Sequence, residues 1–181
     1  EANKAIGDLA VAVGLVDLAR THYQRSRLGE ARVGLAVIAK DGNQRATSWR
    51  GFEQLIQELP DSGLAHFHFG TLAAATDQER LTQIAALNRA IELLPLMGRA
   101  YAELAFLLVA SGRSDEAISL AERAIELEPE FADRSFEALA EARFALRDED
   151  GAREAAETAA TLPHSDPSTL EHYQLLVPEI Y

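Results

Sequence analysis

The chain reads as all-α, an array of antiparallel helix hairpins, and three observations predict it. Apolar residues recur three and four apart through segments of about 12 to 17 residues, and no segment alternates as a strand would. Breakers separate these segments: Gly29, Asp41-Gly42, Pro60, Thr76-Asp77, Pro95, Gly112, Pro129, the run 147–151 and Pro163. Three of these breaks repeat in phase, since Pro95 lies 34 residues before Pro129 and Pro163 lies 34 after it.

The spacing predicts about ten helices, near 5–27, 29–40, 46–59, 63–75, 78–94, 98–111, 114–128, 132–147, 149–162 and 167–177. Gly7 and Gly14 weaken the first, which leaves two helices there as the alternative. Helix 46–59 sets Trp49, Phe52, Ile56 and Leu59 on one face. Thr76 followed by Glu79 has the spacing of a capping box at the start of 78–94. Gly112 suits the left-handed residue that closes 98–111. Ser114 with Asp115 and Glu116 caps and charges the next start. Asp166 before Pro167, with Ser168 and Glu171 behind, opens the last.

Composition agrees and sets limits on function. Hydrophobic residues make up 48% of the 181, mostly alanine and leucine, a mixture that favours helix over sheet. The formal charge of −12, from 29 acidic and 17 basic residues, argues against nucleic acid and against anionic membranes. An acidic surface either attracts a basic partner or serves solvation alone. There is no cysteine, so thiolate chemistry is excluded. No apolar run approaches the ~20 residues that span a bilayer, and no signal-peptide pattern is present. These features predict a soluble chain of unassigned compartment. The alanine-rich, cysteine-free style points to a bacterial source. The first residue is Glu1 in place of Met, as in a processed product or an excised piece.

The segment 98–131, GRAYAELAFLLVASGRSDEAISLAERAIELEPEF, carries a family pattern. Tyr101, Leu104, Ala105 and Leu108 fill first-helix places, while Ala117, Ala121, Ala124 and Pro129 fill second-helix places. It resembles a tetratricopeptide repeat (TPR). Small residues at 105, 117 and 124 let two helices approach closely, and proline stops the second. The neighbouring units, about 63–95 and 132–163, echo it with NRAIELLP and with Ala152, Ala156 and Ala159. A fainter unit covers about 12–43. The resemblance implies a single domain over 1–181, a right-handed superhelical solenoid of hairpins. An extra helix at 46–59 would interrupt strict alternation, and a capping helix at 167–177 would cover the exposed end.

In this family the first helix of each hairpin lines a concave groove that holds peptide ligands. Carried over by position, the resemblance places Phe67, His68 and Thr71 there, then Arg99, Ala102, Glu103, Phe106 and Val109. The third unit adds Asp133, Phe136, Glu137, Ala140, Arg143 and Phe144, and the weak first unit Val16, Asp17, Arg20 and Tyr23. Phe67, Phe106 and Phe136 fall at equivalent places; they either contact a ligand or pack between hairpins. The lysines and asparagines with which one subclass grips chaperone C-termini are missing.

Catalytic and metal-binding patterns are lacking. His66 and His68 are two apart, which on a helix points them to different sides. No HExxH, glycine-rich phosphate loop or Gly-x-Ser-x-Gly elbow occurs. The sequence therefore predicts a scaffold that binds a protein or peptide segment, with no enzymatic activity, metal or cofactor. An accessory helical domain of a larger enzyme, such as a transferase or peptidase, and a purely structural or self-associating module are the competing readings.

Overall fold

The computed structural model describes residues 2–26, 28–40, 45–129 and 132–162. Ten helices occur among them: α1 (Ala2–Ala12), α2 (Val16–Arg25), α3 (Gly29–Lys40), α4 (Arg45–Glu58), α5 (Gly63–Gly70), α6 (Asp77–Leu93), α7 (Gly98–Val109), α8 (Ser114–Leu127), α9 (Asp133–Ala145) and α10 (Glu149–Thr161). The described residues include no strand. The helix expected at 167–177 lies outside them.

The long first helix is two. Gly14 adopts φ 76°, and the Leu15 amide donates to the Ala10 carbonyl at 2.8 Å while the Gly14 amide donates to Val11 at 3.0 Å. That pair of bonds closes α1 with a left-handed cap and turns the chain back into α2. The same cap closes α7 at Gly112, φ 74°, as its sequence predicts. It closes α9 at Arg147, φ 67°, where no glycine advertises it.

The chain divides into two compact units, Glu1–Leu93 and Leu94–Tyr181. In the first, α1 packs on α2 and α5 on α6, while α1, α3 and α5 contact one another in turn. Helix α4, expected as an unpaired insertion, packs against both α3 and α5. Phe52, Leu55, Phe69 and Leu72 fill the centre with Val33, and a smaller cluster gathers Ala10, Ala19, Ala31 and Tyr23. The α5–α6 contact is close: a Cβ on Gly70 would lie 2.5 Å from Leu87 Cγ. Buried Gln83 of α6 donates its amide to the carbonyls of Gly70 and Leu72, supplying partners for the open end of α5.

In the second unit α7 packs on α8 and α9 on α10, with α9 also against α7 and α8. Its core is mostly alanine: Ala100, Ala105, Ala117, Ala121, Ala138, Ala142 and Ala159 are all buried. Such small side chains permit close helix approach, the packing that their spacing predicts.

The caps differ in detail from expectation. At α6 the Glu79 amide donates to Thr76 Oγ1 at 3.1 Å, and the Glu79 carboxylate takes the Ala75 amide at 2.6 Å as well as the Thr76 amide of the expected capping box. The Ala75 amide, and then Arg45, hold that carboxyl below the usual range. At α8, Ser114 is already the first helical residue, and Arg113 at the cap donates its guanidinium to Glu116 instead of capping a helix amide. Asp148 caps α10 by accepting the Gly151 amide at 3.0 Å.

Candidate functional site

Helical periodicity builds a cavity on one side of the first unit. Lys4, Asp8 and Val11 of α1 stand four and three apart, as do Glu30, Val33, Gly34 and Val37 of α3, and Leu64 and His68 of α5. These three faces, with Tyr23 of α2 behind them, enclose about 250 Å³. Val11, Val33, Val37 and Leu64 supply the apolar wall, and Lys4, Asp8, Tyr23, Glu30 and His68 bring polar groups to it.

Tyr23 fixes the geometry. Its ring is 5% exposed and lies between two helical glycines, since a Cβ at Gly7 or at Gly34 would each come within 2.5 Å of it. Its hydroxyl donates to Asp8 Oδ1 at 2.8 Å, and the other Asp8 oxygen takes the Lys4 ammonium at 2.7 Å. Burial first, then the bond to Asp8 and that carboxylate's charge, push the phenol up to about 12. An ordinary tyrosine ionises near ~10. The folded chain therefore keeps this proton at pH values where the unfolded chain has lost it. The stabilisation is complete below about pH 10 and falls away as the pH rises through about 12. Urea melts at about pH 9 and about pH 11.5 check this: the natural chain is expected to lose more stability between them than Tyr23→Phe, and equal losses would refute it.

Glu30 occupies the cavity wall near the start of α3. Its Oε1 accepts the Ser62 hydroxyl at 2.8 Å, and the same Ser62 oxygen caps α5 by accepting the Ala65 amide at 3.2 Å. Its Oε2 is buried and has no hydrogen-bond partner among the described residues.

Of the residues the sequence predicts for a groove, His68 and Tyr23 line this cavity. Phe67 is 8% exposed, with its ring centroid 5.1 Å from that of His68, so its ring is mostly buried. Thr71 caps the end of α5, its hydroxyl donating to the His68 carbonyl at 3.1 Å.

The second unit gathers Glu103, Phe106 and Glu137 around a residue missing from that expectation, Arg134. Its guanidinium carbon stands 3.5 Å from the Phe106 ring centroid. Its Nε lies 3.5 Å from Glu103 and its Nη1 3.3 Å from Glu137. Each such half-exposed pair contributes about 0.2–1 kcal/mol, so the cluster shapes a surface more than it holds the fold. Phe136 is half-buried. Arg99 turns to the far end of its hairpin, its backbone amide donating to Glu128 at 2.8 Å. Arg143 serves the α9–α10 turn, donating to the Gly151 carbonyl at 3.2 Å. The groups that sequence reasoning missed are Lys4, Asp8 and Glu30; the groove face expected for the first unit runs from Val16 to Tyr23, which lies beyond α1. The cue was Gly14, which follows an apolar run as a helix-closing glycine does.

No family model matches the sequence, and no curated protein matches it. Solved structures do resemble it. MamA is 23% identical with a TM-score of 0.64, covering 87% of this chain and 87% of that one. TTC0263, a thermophilic TPR protein of Thermus thermophilus, is 16% identical with a TM-score of 0.72, covering 97% of each chain. At such identities the shared property is architecture. The chain has the all-α helical-hairpin fold of a TPR protein.

Proposed function

We propose that the chain is a protein-binding scaffold that holds a segment of its partner on the face made by α1, α3 and α5. One observation carries this reading: the cavity of about 250 Å³ whose lining recurs at helical spacing on three neighbouring helices. A recess with apolar walls and polar groups among its lining is what ligand sites look like. Helix faces of this kind suit an extended or helical peptide with apolar anchors. The TPR-type fold supports the same reading, and no catalytic role is part of it.

Val11 provides the test, since it lines the cavity and is 42% exposed. Affinity capture from the source cells would compare the natural chain with Val11→Glu. The variant is expected to lose a co-purifying partner while its circular-dichroism melt stays within about 0.5 kcal/mol of the original. Equal capture by both would move binding off this face.

A further inference from the structure

We infer that the cavity of the first unit selects a lysine side chain of the bound segment, with Glu30 accepting its ammonium. This rests on the reading of that face as the partner-binding surface and adds the chemistry the face selects.

The charges decide the sign. Lys4 and Asp8 neutralise one another at 2.7 Å, and the Tyr23 hydroxyl adds a neutral bond to the same carboxylate. Glu30 is the other acid of the lining, and no ion pair to it occurs among the described residues. Ser62 satisfies one of its oxygens, and the other is buried and unpartnered among the described residues. A buried acceptor without a donor is costly, and a cation that reaches it relieves that cost. The whole chain, at −12, draws a basic segment from a distance.

Size and shape narrow the cation. The cavity, about 250 Å³, falls below the roughly 300–1,000 Å³ of small-molecule pockets, so it fits one long side chain better than a whole cofactor. Val11, Val33, Val37 and Leu64 give that side chain an apolar sleeve for its methylenes. Glu30 has one buried oxygen without a hydrogen-bond donor among the described residues, since Ser62 holds the other. A guanidinium gains most from two parallel acceptors, whereas an ammonium is a compact charge satisfied by one. Lysine fits and arginine is under-used.

The probe is n-butylammonium, the end of a lysine side chain, titrated into the full chain labelled at valine and leucine methyls and followed by NMR. Saturable shifts are expected at Val11, Val33, Val37 and Leu64, with n-butanol and n-propylguanidinium binding about tenfold more weakly. Glu30→Gln, which keeps an oxygen for Ser62, is expected to reduce butylammonium to the level of butanol. Comparison of the three probes on the natural chain stands even if that variant is unstable. Scattered, unsaturable shifts, or butanol binding as well as butylammonium, would overturn the assignment. So would a folded Glu30→Gln chain that binds butylammonium unchanged. If Val11→Glu loses its partner and the natural chain ignores butylammonium, the lysine assignment fails while the scaffold reading stands. If butylammonium binds as expected and Val11→Glu keeps its partner, the pocket chemistry stands and the scaffold reading of this face fails.

Discussion

Tyr23→Ala is expected to cost the first unit about 3–5 kcal/mol, the range for emptying a large aromatic site in a core. The ring is the common contact of α1, α2 and α3. It fills notches at Gly7 and Gly34, and neither glycine has a side chain with which to occupy the space left behind. Tyr23→Phe removes only the hydroxyl bond to Asp8, whose other oxygen keeps Lys4, and should cost about 1 kcal/mol. Urea denaturation followed by circular dichroism separates the two. Equal stability of the alanine and phenylalanine variants would show that the ring is not what joins these helices.

A loss of about 3–5 kcal/mol is also expected for Phe69→Ala. Phe69 is 1% exposed at the centre of the first unit, packed among Val33, Phe52, Leu55 and Leu72. Trp49 meets it edge-on, with centroids 4.9 Å apart and planes at 62°, a geometry worth about 0.5–1.5 kcal/mol beyond burial. Trp49 is the chain's one tryptophan, so its fluorescence reports on this unit. The variant should show red-shifted emission at rest and an earlier fluorescence transition in urea. Unchanged emission would mean that the indole does not depend on this contact.

Much of the fold was legible in the sequence because helix faces and stops are local properties. The run from Gly98 to Pro129 sets small residues where α7 and α8 touch, and the prolines mark the phase. The first unit was harder. Gly7 and Gly14 look alike in sequence and both lower helix propensity. In the structure Gly14 ends α1, whereas Gly7 lies inside it as a seat for Tyr23. No propensity distinguishes the two, because Gly7 is required by a ring sixteen residues away. A groove face expected on Val16 to Tyr23 left out the α1 face that carries Lys4 and Asp8. In the second unit Glu103, Phe106 and Glu137, expected by position to face a groove, gather around Arg134. Their grouping was invisible because it runs through Arg134, whose long side chain reaches from α9 to α7. Arg99 and Arg143 meet groups that position alone does not show, the Glu128 carboxylate and the Gly151 carbonyl.

The three left-handed caps raise a question of mirror symmetry. Nothing lies within 4 Å of a Cβ built on Gly14 or Gly112, so these sites have ample room and refuse other residues only by chirality. An L-residue there costs about 1–2 kcal/mol, a cost that Arg147 bears at the third cap. For a D-residue a positive φ is the relaxed state. Chemical synthesis with D-alanine at position 14 or 112 would keep each turn while removing the backbone freedom that glycine brings to the unfolded chain. At Gly7 and Gly34 the obstacle is volume. The same amino acid thus answers two separate demands, one of handedness and one of space.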